Sequence, residues 1–210
     1  MKIGIIGSGK IGTLVGCRWV EAGHEVKFSS RHPESLATLA QELGARASVG
    51  TPEEAARFGE VLLISVLYNA LPELGNTLGP SLAGKVVLET GNTYPGRDGK
   101  MAQEVIDSGL GTGVWSSRFL PGTRLVRAFN TLSYMIFAHE ANRPAPRLAV
   151  PIAGDDPEAV QVAAGLVRDA GFDAVEVGKL ADARRFQRGA PGYGQNVAAA
   201  ELKQKLSLAP

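Results

Sequence analysis

The chain has 210 residues, of which 44% are hydrophobic, and its 22 basic and 21 acidic side chains leave a net charge of +1. That length suits one domain with a buried core, or one domain with a small appendage. The balanced charge excludes the broad basic surface of a nucleic-acid-binding protein. Cys17 is the single cysteine, so an internal disulfide is excluded. The first predicted strand begins at Lys2, so we expect no targeting segment, no membrane contact and a cytoplasmic location.

Strand and helix patterns alternate along the chain, which predicts an α/β fold with a doubly wound, parallel, Rossmann-type sheet. Strands are expected at residues 2–6, 25–29, 61–66, 85–89, 124–129, 147–152 and 174–177. Helices are expected at about residues 11–22, 33–43, 52–58, 69–78, 101–108, 115–120, 133–141, 157–167 and 197–206, with residues 91–100 as a loop. A break at residues 142–146 divides the prediction into a Rossmann domain (1–143) and a small carboxyl-terminal extension (144–210) packed on the same sheet.

The first strand runs directly into a complete GxGxxG motif that opens a helix, and this arrangement is the fingerprint of dinucleotide binding. Gly7 would allow the tight turn, Gly9 the approach of a pyrophosphate, and Gly12 the close packing of helix on strand. The helix amino terminus would then present unpaired N–H groups to the phosphates.

The second strand ends in Ser29-Ser30-Arg31, where NAD-type sites carry an acid for the adenosine ribose. No acid stands at that point, and a guanidinium is suited to binding a phosphate through several N–H donors. We therefore expect NADP(H) rather than NAD(H). The alternative for Arg31 is an ordinary solvated surface arginine.

Three further stretches carry a resemblance to one family: Ser30-Arg31, Arg127-Ala128-Phe129-Asn130-Thr131 and Gly154-Asp155-Asp156-Pro157. With the glycine loop, they resemble the deazaflavin-dependent NADP oxidoreductases, the NADPH-dependent coenzyme F420 reductases. They are also similar to the cytosolic reductase domain of the six-transmembrane ferric reductases.

The resemblance implies a role for each matching position. The pyrophosphate would be covered by Ser8, Lys10 and Ile11, and the 2′-phosphate would be held by Ser30 and Arg31. The ribose and adenine side would be lined by Ser65 and Val66. The nicotinamide would be approached by Gly91 and Asn92, and the acceptor pocket would be bordered by Asn130 and Thr131. Two positions depart from the deazaflavin enzymes: Ser35 replaces a common basic residue and Asn130 replaces a frequent histidine. Asn130 matches the ferric-reductase domains better, and those pass hydride to a flavin.

Other polar residues have simpler interpretations. His24, His32 and His139 lack metal-ligand spacing, so no metal site is predicted. Asp155 and Asp156 precede Pro157, which favours helix capping over a pair of catalytic carboxylates, and Cys17 favours packing. Arg184, Arg185 and Arg188 suit either a solvated helix face or an anionic acceptor, and Tyr193 suits contact with either the cofactor or the second subunit of a homodimer.

These observations predict an oxidoreductase that transfers hydride between NADP(H) and a small-molecule acceptor, a flavin or deazaflavin. Such a transfer needs little acid or base from the protein, because the rings carry the chemistry. One alternative is a non-catalytic NADP(H)-binding redox sensor, since the segment 189–195 could block the acceptor pocket. Another is a reductase of imines or small carbonyls.

Overall fold

The computed structural model describes residues 1–209. Its strands form one eight-stranded sheet in the order 3-2-1-4-5-6-7-8. The strands are β1 (Lys2–Ile6), β2 (Glu25–Ser29), β3 (Ala47–Gly50), β4 (Val61–Ile64), β5 (Val86–Glu89), β6 (Arg124–Arg127), β7 (Ala149–Gly154) and β8 (Asp173–Gly178). The order reverses beside β1, which is the arrangement that predicts a ligand crevice at the carboxyl ends of the strands.

Helices cover the two faces of the sheet, as the alternating pattern predicts. They are α1 (Lys10–Glu21), α2 (Ala37–Leu43), α3 (Pro52–Phe58), α4 (Leu71–Leu82), α5 (Pro95–Asp107), α6 (Thr112–Phe119), α7 (Tyr134–Glu140), α8 (Pro157–Asp169) and α9 (Ala199–Lys205). None of them, within residues 1–209, is long and apolar enough to cross a membrane.

The central strands β4 and β5 consist of residues that are all buried, which explains why the sequence shows short apolar runs rather than alternation there. One part of the core lies on the α1 and α8 face of the sheet and includes Trp19, Phe28, Phe129 and Phe137. The indole N–H of Trp19 donates to the carbonyl of Leu166 at 2.8 Å, so α1 is tied to α8 across this core.

The predicted doubly wound α/β fold is confirmed, with one correction to the parallel sheet. Strand β7 pairs antiparallel with β6, and β8 follows β7 in parallel. The link between β6 and β7 contains only the seven-residue α7, which packs on α1. Because this link does not carry the chain back along the sheet, β7 runs in the opposite direction. A pattern of alternating helices and strands does not report that direction.

Two element predictions were also wrong. Strand β3 was not predicted, because its four residues, Ala-Ser-Val-Gly, carry almost no apolar pattern. The predicted loop at residues 91–100 contains the start of α5, which begins at Pro95 and is interrupted at Gly99, where φ is +66°. The loop was predicted because glycine and proline are frequent in residues 91–100. Proline is nevertheless favoured in a first helical turn, which is where Pro95 lies.

The chain after β8 returns to the carboxyl edge of β5 and β6. A 3-10 turn at Leu180–Arg185 packs on α6, β6 and β7. The carbonyl of Phe186 then accepts a hydrogen bond from the Asn130 side chain at 3.2 Å. Residues 186–193 are therefore held at the edge of the sheet where the crevice is expected.

Candidate functional site

A cleft of about 1240 Å³ opens at the carboxyl ends of β1, β2, β4, β5 and β6. It brings together nearly all the residues that the sequence selects. The predicted residues that line it are Gly7, Ser8, Gly9, Lys10, Ile11, Ser29, Ser30, Arg31, Ser65, Val66, Gly91, Asn92 and Asn130. Gly12 and Thr131 are buried and do not line the cleft.

The glycine loop has a separate requirement at each glycine. Gly7 has φ +95°, which disfavours any residue with a side chain. A Cβ at Gly12 would lie 2.3 Å from the carbonyl oxygen of Gly7, so only glycine lets α1 pack against the loop. A Cβ at Gly9 would meet nothing within 4 Å, and the space before it belongs to the cleft.

The amino terminus of α1 suits an anion. Gly9 caps the helix without a side chain, and the first turn contains no acidic residue. The free N–H groups and the helix dipole therefore favour a negatively charged group in front of Gly9. The ammonium of Lys10 lies 4.0 Å from the ring centroid of Tyr134, at the cleft wall.

The end of β2 is fastened to the glycine loop. The backbone N–H of Ser29 donates to the Ser8 hydroxyl at 3.1 Å, and the Ser29 hydroxyl donates to the carbonyl of Ile5 at 2.6 Å. The Ser30 hydroxyl accepts from the backbone N–H of His32. Arg31 is exposed at the cleft, and within residues 1–209 no carboxylate lies within ion-pair distance of its guanidinium.

At the other end of the cleft, a buried ion pair supports the loop after β5. Glu89 and Arg127 end the neighbouring strands β5 and β6, and their side chains are 1% and 0% exposed. The Glu89 carboxylate also accepts from the Gly91 N–H and from the Ser116 hydroxyl, while Arg127 donates to the Gly91 carbonyl. Burial lowers the pKa of Arg127 to about 10, so its guanidinium stays charged at neutral pH. The backbone of Gly91 is thus held on both sides.

Asn92 and Asn130 form a rigid amide wall beyond Gly91. The Asn92 amide donates to the Asn130 carbonyl at 2.7 Å, and the Asn130 amide donates to the Asn92 side-chain oxygen at 3.3 Å and to the Phe186 carbonyl at 3.2 Å. Both residues are at least nine-tenths buried. Because side-chain amides do not gain or lose a proton near neutral pH, the amide wall can position a ring but cannot act as an acid or a base.

Among the cleft residues that the sequence missed or left open, three lie beside the amide wall. Tyr94, Arg97 and Tyr193 line this end, and the hydroxyls of Tyr94 and Tyr193 lie 3.3 Å apart. Burial and the Tyr94 contact raise the pKa of Tyr193 to about 12. Tyr193 therefore stays protonated. Tyr94 and Arg97 sit in the segment predicted as a loop, where no periodic signal marks them.

The remaining polar residues have structural roles. Asp156 caps α8 by accepting from the Ala159 N–H at 3.1 Å, and Asp155 accepts from the Leu180 N–H at 3.0 Å. Both lie at the edge of the sheet opposite the cleft, because β7 is reversed. Burial raises the pKa of the half-buried Cys17 thiol, which favours packing over reactivity. No group of histidine, cysteine, aspartate and glutamate side chains in residues 1–209 is placed to hold a metal.

Comparison with known proteins identifies sequence similarity to NADP-dependent oxidoreductases. Residues 2–93 match the family described as NADP oxidoreductase, coenzyme F420-dependent. The chain is 29% identical to the metalloreductase STEAP3 of Rattus norvegicus over 189 residues, which cover 89% of this chain and 36% of that protein. The predicted resemblance is confirmed. The chain thus spans about a third of the length of that curated relative. The family match covers residues 2–93 of this chain, which include the glycine loop.

Solved structures show the same fold. A hypothetical protein, SMa0349 of Sinorhizobium meliloti, superposes with a TM-score of 0.80 at 24% identity, covering 94% of this chain and 95% of that one. A structure described as an F420-dependent NADP reductase from Arthrobacter sp. FB24 superposes with a TM-score of 0.73 at 22% identity, covering 88% and 87%. Both resemblances support a Rossmann-type α/β architecture.

Proposed function

We propose that this protein transfers hydride from NADPH to a flavin or deazaflavin ring that binds beside Asn92 and Asn130. In this reaction the oxidised ring accepts the hydride of NADPH and a proton from solvent, and the products are NADP⁺ and the dihydro form of the ring. The observation that carries the proposal is the amide wall, which lines the same cleft as the glycine loop and is fixed by three hydrogen bonds. The F420-dependent family matched by residues 2–93 supports the same class of acceptor.

Different parts of the cleft would contact different parts of the cofactor. The free N–H groups at the start of α1 would hold the pyrophosphate, and Arg31, which is exposed after the end of β2, would hold the 2′-phosphate. Gly91, held by Glu89 and Arg127, supports the nicotinamide side. Hydride transfer between two rings depends on alignment at a separation of about 3 to 3.5 Å, which a rigid wall supplies without an acid or base.

The decisive experiment mixes the protein with NADPH and, separately, riboflavin, flavin mononucleotide and a deazaflavin, while the absorbance of the reduced nicotinamide is followed. Oxidation of NADPH that depends on the added ring supports the proposal. Gly9→Ala is the matched control, because its Cβ meets nothing in the fold but fills the pyrophosphate space. NADPH that binds without being oxidised by any ring would contradict the proposal and favour a redox sensor.

Tyr193 favours a second candidate, the reduction of an imine or small carbonyl. Its phenol O–H lines the cleft, where reduction of such a substrate requires a proton. NADPH oxidation with cyclic imines, absent with all flavins and lost in Tyr193→Phe, would select this candidate.

A further inference from the structure

Arg188 carries a positive charge beside Tyr94 at the acceptor end, which is the end of the cleft formed by the amide wall. Its guanidinium carbon lies 4.5 Å from the ring centroid of Tyr94, and its side chain is exposed. In the part of the chain that the structure describes, no carboxylate lies within ion-pair distance of it. Stacking on an aromatic ring gives an exposed guanidinium a preferred position while leaving its N–H donors free.

The backbone that carries Arg188 is anchored to the acceptor end itself. The N–H of Arg188 donates to the side-chain oxygen of Asn92 at 3.3 Å. One residue earlier, the Gln187 side-chain oxygen accepts from the Thr112 N–H at 2.8 Å, and before that the Phe186 carbonyl accepts from Asn130. Three consecutive residues are therefore tied to the loops that follow β5 and β6 and to the start of α6. Arg188 is held there by the fold.

Arg97 is the other guanidinium beside Tyr94, but its charge is already compensated. Its guanidinium carbon lies 4.6 Å from the same ring centroid, and it forms an ion pair of 2.7 Å with Asp98, whose side chain is fully buried. It also donates to the Asn92 carbonyl at 3.0 Å. Arg97 therefore fixes Tyr94 and Asn92 in place, while Arg188 remains the uncompensated charge.

Arg188 and Arg31 belong to different ends of the cleft. Arg31 follows β2, whereas Arg188 is tied to the loop after β5, and three strand spacings separate β2 from β5. At about 4.8 Å each, these spacings amount to roughly 14 Å. The strands next to which the two arginines lie thus stand at separate ends of the cleft.

We propose that Arg188, with the hydroxyls of Tyr94 and Tyr193 beside it, recognises a phosphate group on the hydride acceptor. This inference rests on the proposed function and names the acceptor class more closely: a flavin or deazaflavin that carries a phosphate, rather than the bare ring. A guanidinium and the phenolic O–H that the contact between Tyr94 and Tyr193 leaves free match the several acceptor oxygens of a phosphate.

Flavin mononucleotide and riboflavin provide the test, because they share one ring and differ by the phosphate. For wild-type protein, we expect KM to be about 10- to 100-fold lower for flavin mononucleotide, the range given by charged hydrogen bonds. Arg188→Gln should remove most of that ratio by raising KM for flavin mononucleotide, and leave KM for riboflavin unchanged. Arg188→Lys, which keeps the charge and loses the planar fork, should give an intermediate ratio. The same comparison of KM for a deazaflavin with its phosphodiester and for that ring without it shows whether the phosphate is recognised on a flavin or on a deazaflavin.

Arg168→Gln is the matched control, since it removes an exposed arginine from the last turn of α8. It should keep the wild-type ratio. Equal KM values for the two flavins in wild-type protein, or an equal loss on both in Arg188→Gln, would overturn the inference.

Equilibrium binding separates this inference from the proposed function. Quenching of flavin fluorescence by the NADP⁺-loaded protein reports affinity whether or not turnover occurs. Preferential binding of flavin mononucleotide that Arg188→Gln abolishes supports the phosphate site even if no ring is reduced. Equal affinities for flavin mononucleotide and riboflavin would overturn the inference even if both rings are reduced.

Discussion

Glu89 and Arg127 pair at the ends of two neighbouring strands, buried under the loop that leads to the amide wall of Asn92 and Asn130. Their side chains are 1% and 0% exposed, and both hold the backbone of Gly91. A buried ion pair is weak evidence for stability, because desolvation offsets much of the attraction. Its structural effect here is to fix where Gly91 and Asn92 stand.

Glu89→Gln should lower the free energy of unfolding by about 3 to 5 kcal/mol, because it leaves the Arg127 charge buried without its carboxylate. Urea unfolding measures this loss. The double variant Glu89→Gln with Arg127→Met, which removes the charge as well, should lose less than Glu89→Gln alone. A loss below about 1 kcal/mol in Glu89→Gln would show that the pair is not a buried charge pair in solution.

Gly9→Ala and Gly12→Ala should separate binding from folding. Gly9→Ala should unfold at nearly the wild-type urea concentration but bind NADPH at least about tenfold more weakly, because its methyl group occupies the pyrophosphate space. Gly12→Ala should be destabilised by about 1 to 3 kcal/mol, because its Cβ would lie 2.3 Å from the Gly7 carbonyl oxygen. Equal effects of the two substitutions on stability would contradict the assigned roles.

The acid dependence of stability should depend in part on Asp156. Hydrogen bonds from Arg124 lower the pKa of this carboxyl from 3.8 to about 2. A lowered folded-state pKa contributes stability that is present above pH 3.8 and is lost as the pH falls toward 2. Asp156→Asn should therefore flatten the stability profile in this window, as measured by urea unfolding at several pH values.

Glu158→Gln is the control for that measurement. It removes the more exposed partner of the same arginine, whose side chain is 87% exposed, and should change the acid profile less than Asp156→Asn. The reverse order of effects would show that the Asp156 contact does not form in solution.

Arg31→Ala should weaken NADPH binding by about 1.5 to 3 kcal/mol and leave NADH binding almost unchanged, because only NADPH carries the 2′-phosphate. Arg46→Ala, which removes another exposed arginine, should affect neither nucleotide. Isothermal titration of both nucleotides provides the comparison. Equal losses for NADPH and NADH would mean that Arg31 is not a phosphate ligand.

Much of this architecture could be predicted because its signals are local. The apolar run before Gly7 and the glycine spacing depend on neighbours in sequence, so the first strand, the loop and α1 follow from them. The capping box of Thr51 and Glu54 likewise marks the start of α3. The direction of β7 could not be predicted in this way, because it depends on the path of a link that packs on distant α1.

The acceptor end was only partly predictable for the same reason. Asn92 and Asn130 were selected by resemblance, whereas Tyr94, Arg97 and Arg188 meet through contacts between distant segments. A usable signal did exist for the buried pair: Glu89 and Arg127 are opposite charges that end two apolar strands. Opposite charges at such positions are expected to pair once the strands are neighbours.

The cleft is proposed to bind NADP(H) through a cationic adenosine end and a helix terminus without a side-chain cap. Calorimetric titration of the wild-type protein with NADPH and with NADH is the sharpest test of this proposal. We predict that NADPH binds at least about tenfold more tightly, the smaller effect expected of charged hydrogen bonds to one phosphate. NADH bound as tightly as NADPH, or more tightly, would show that Arg31 and the end of β2 do not recognise a 2′-phosphate.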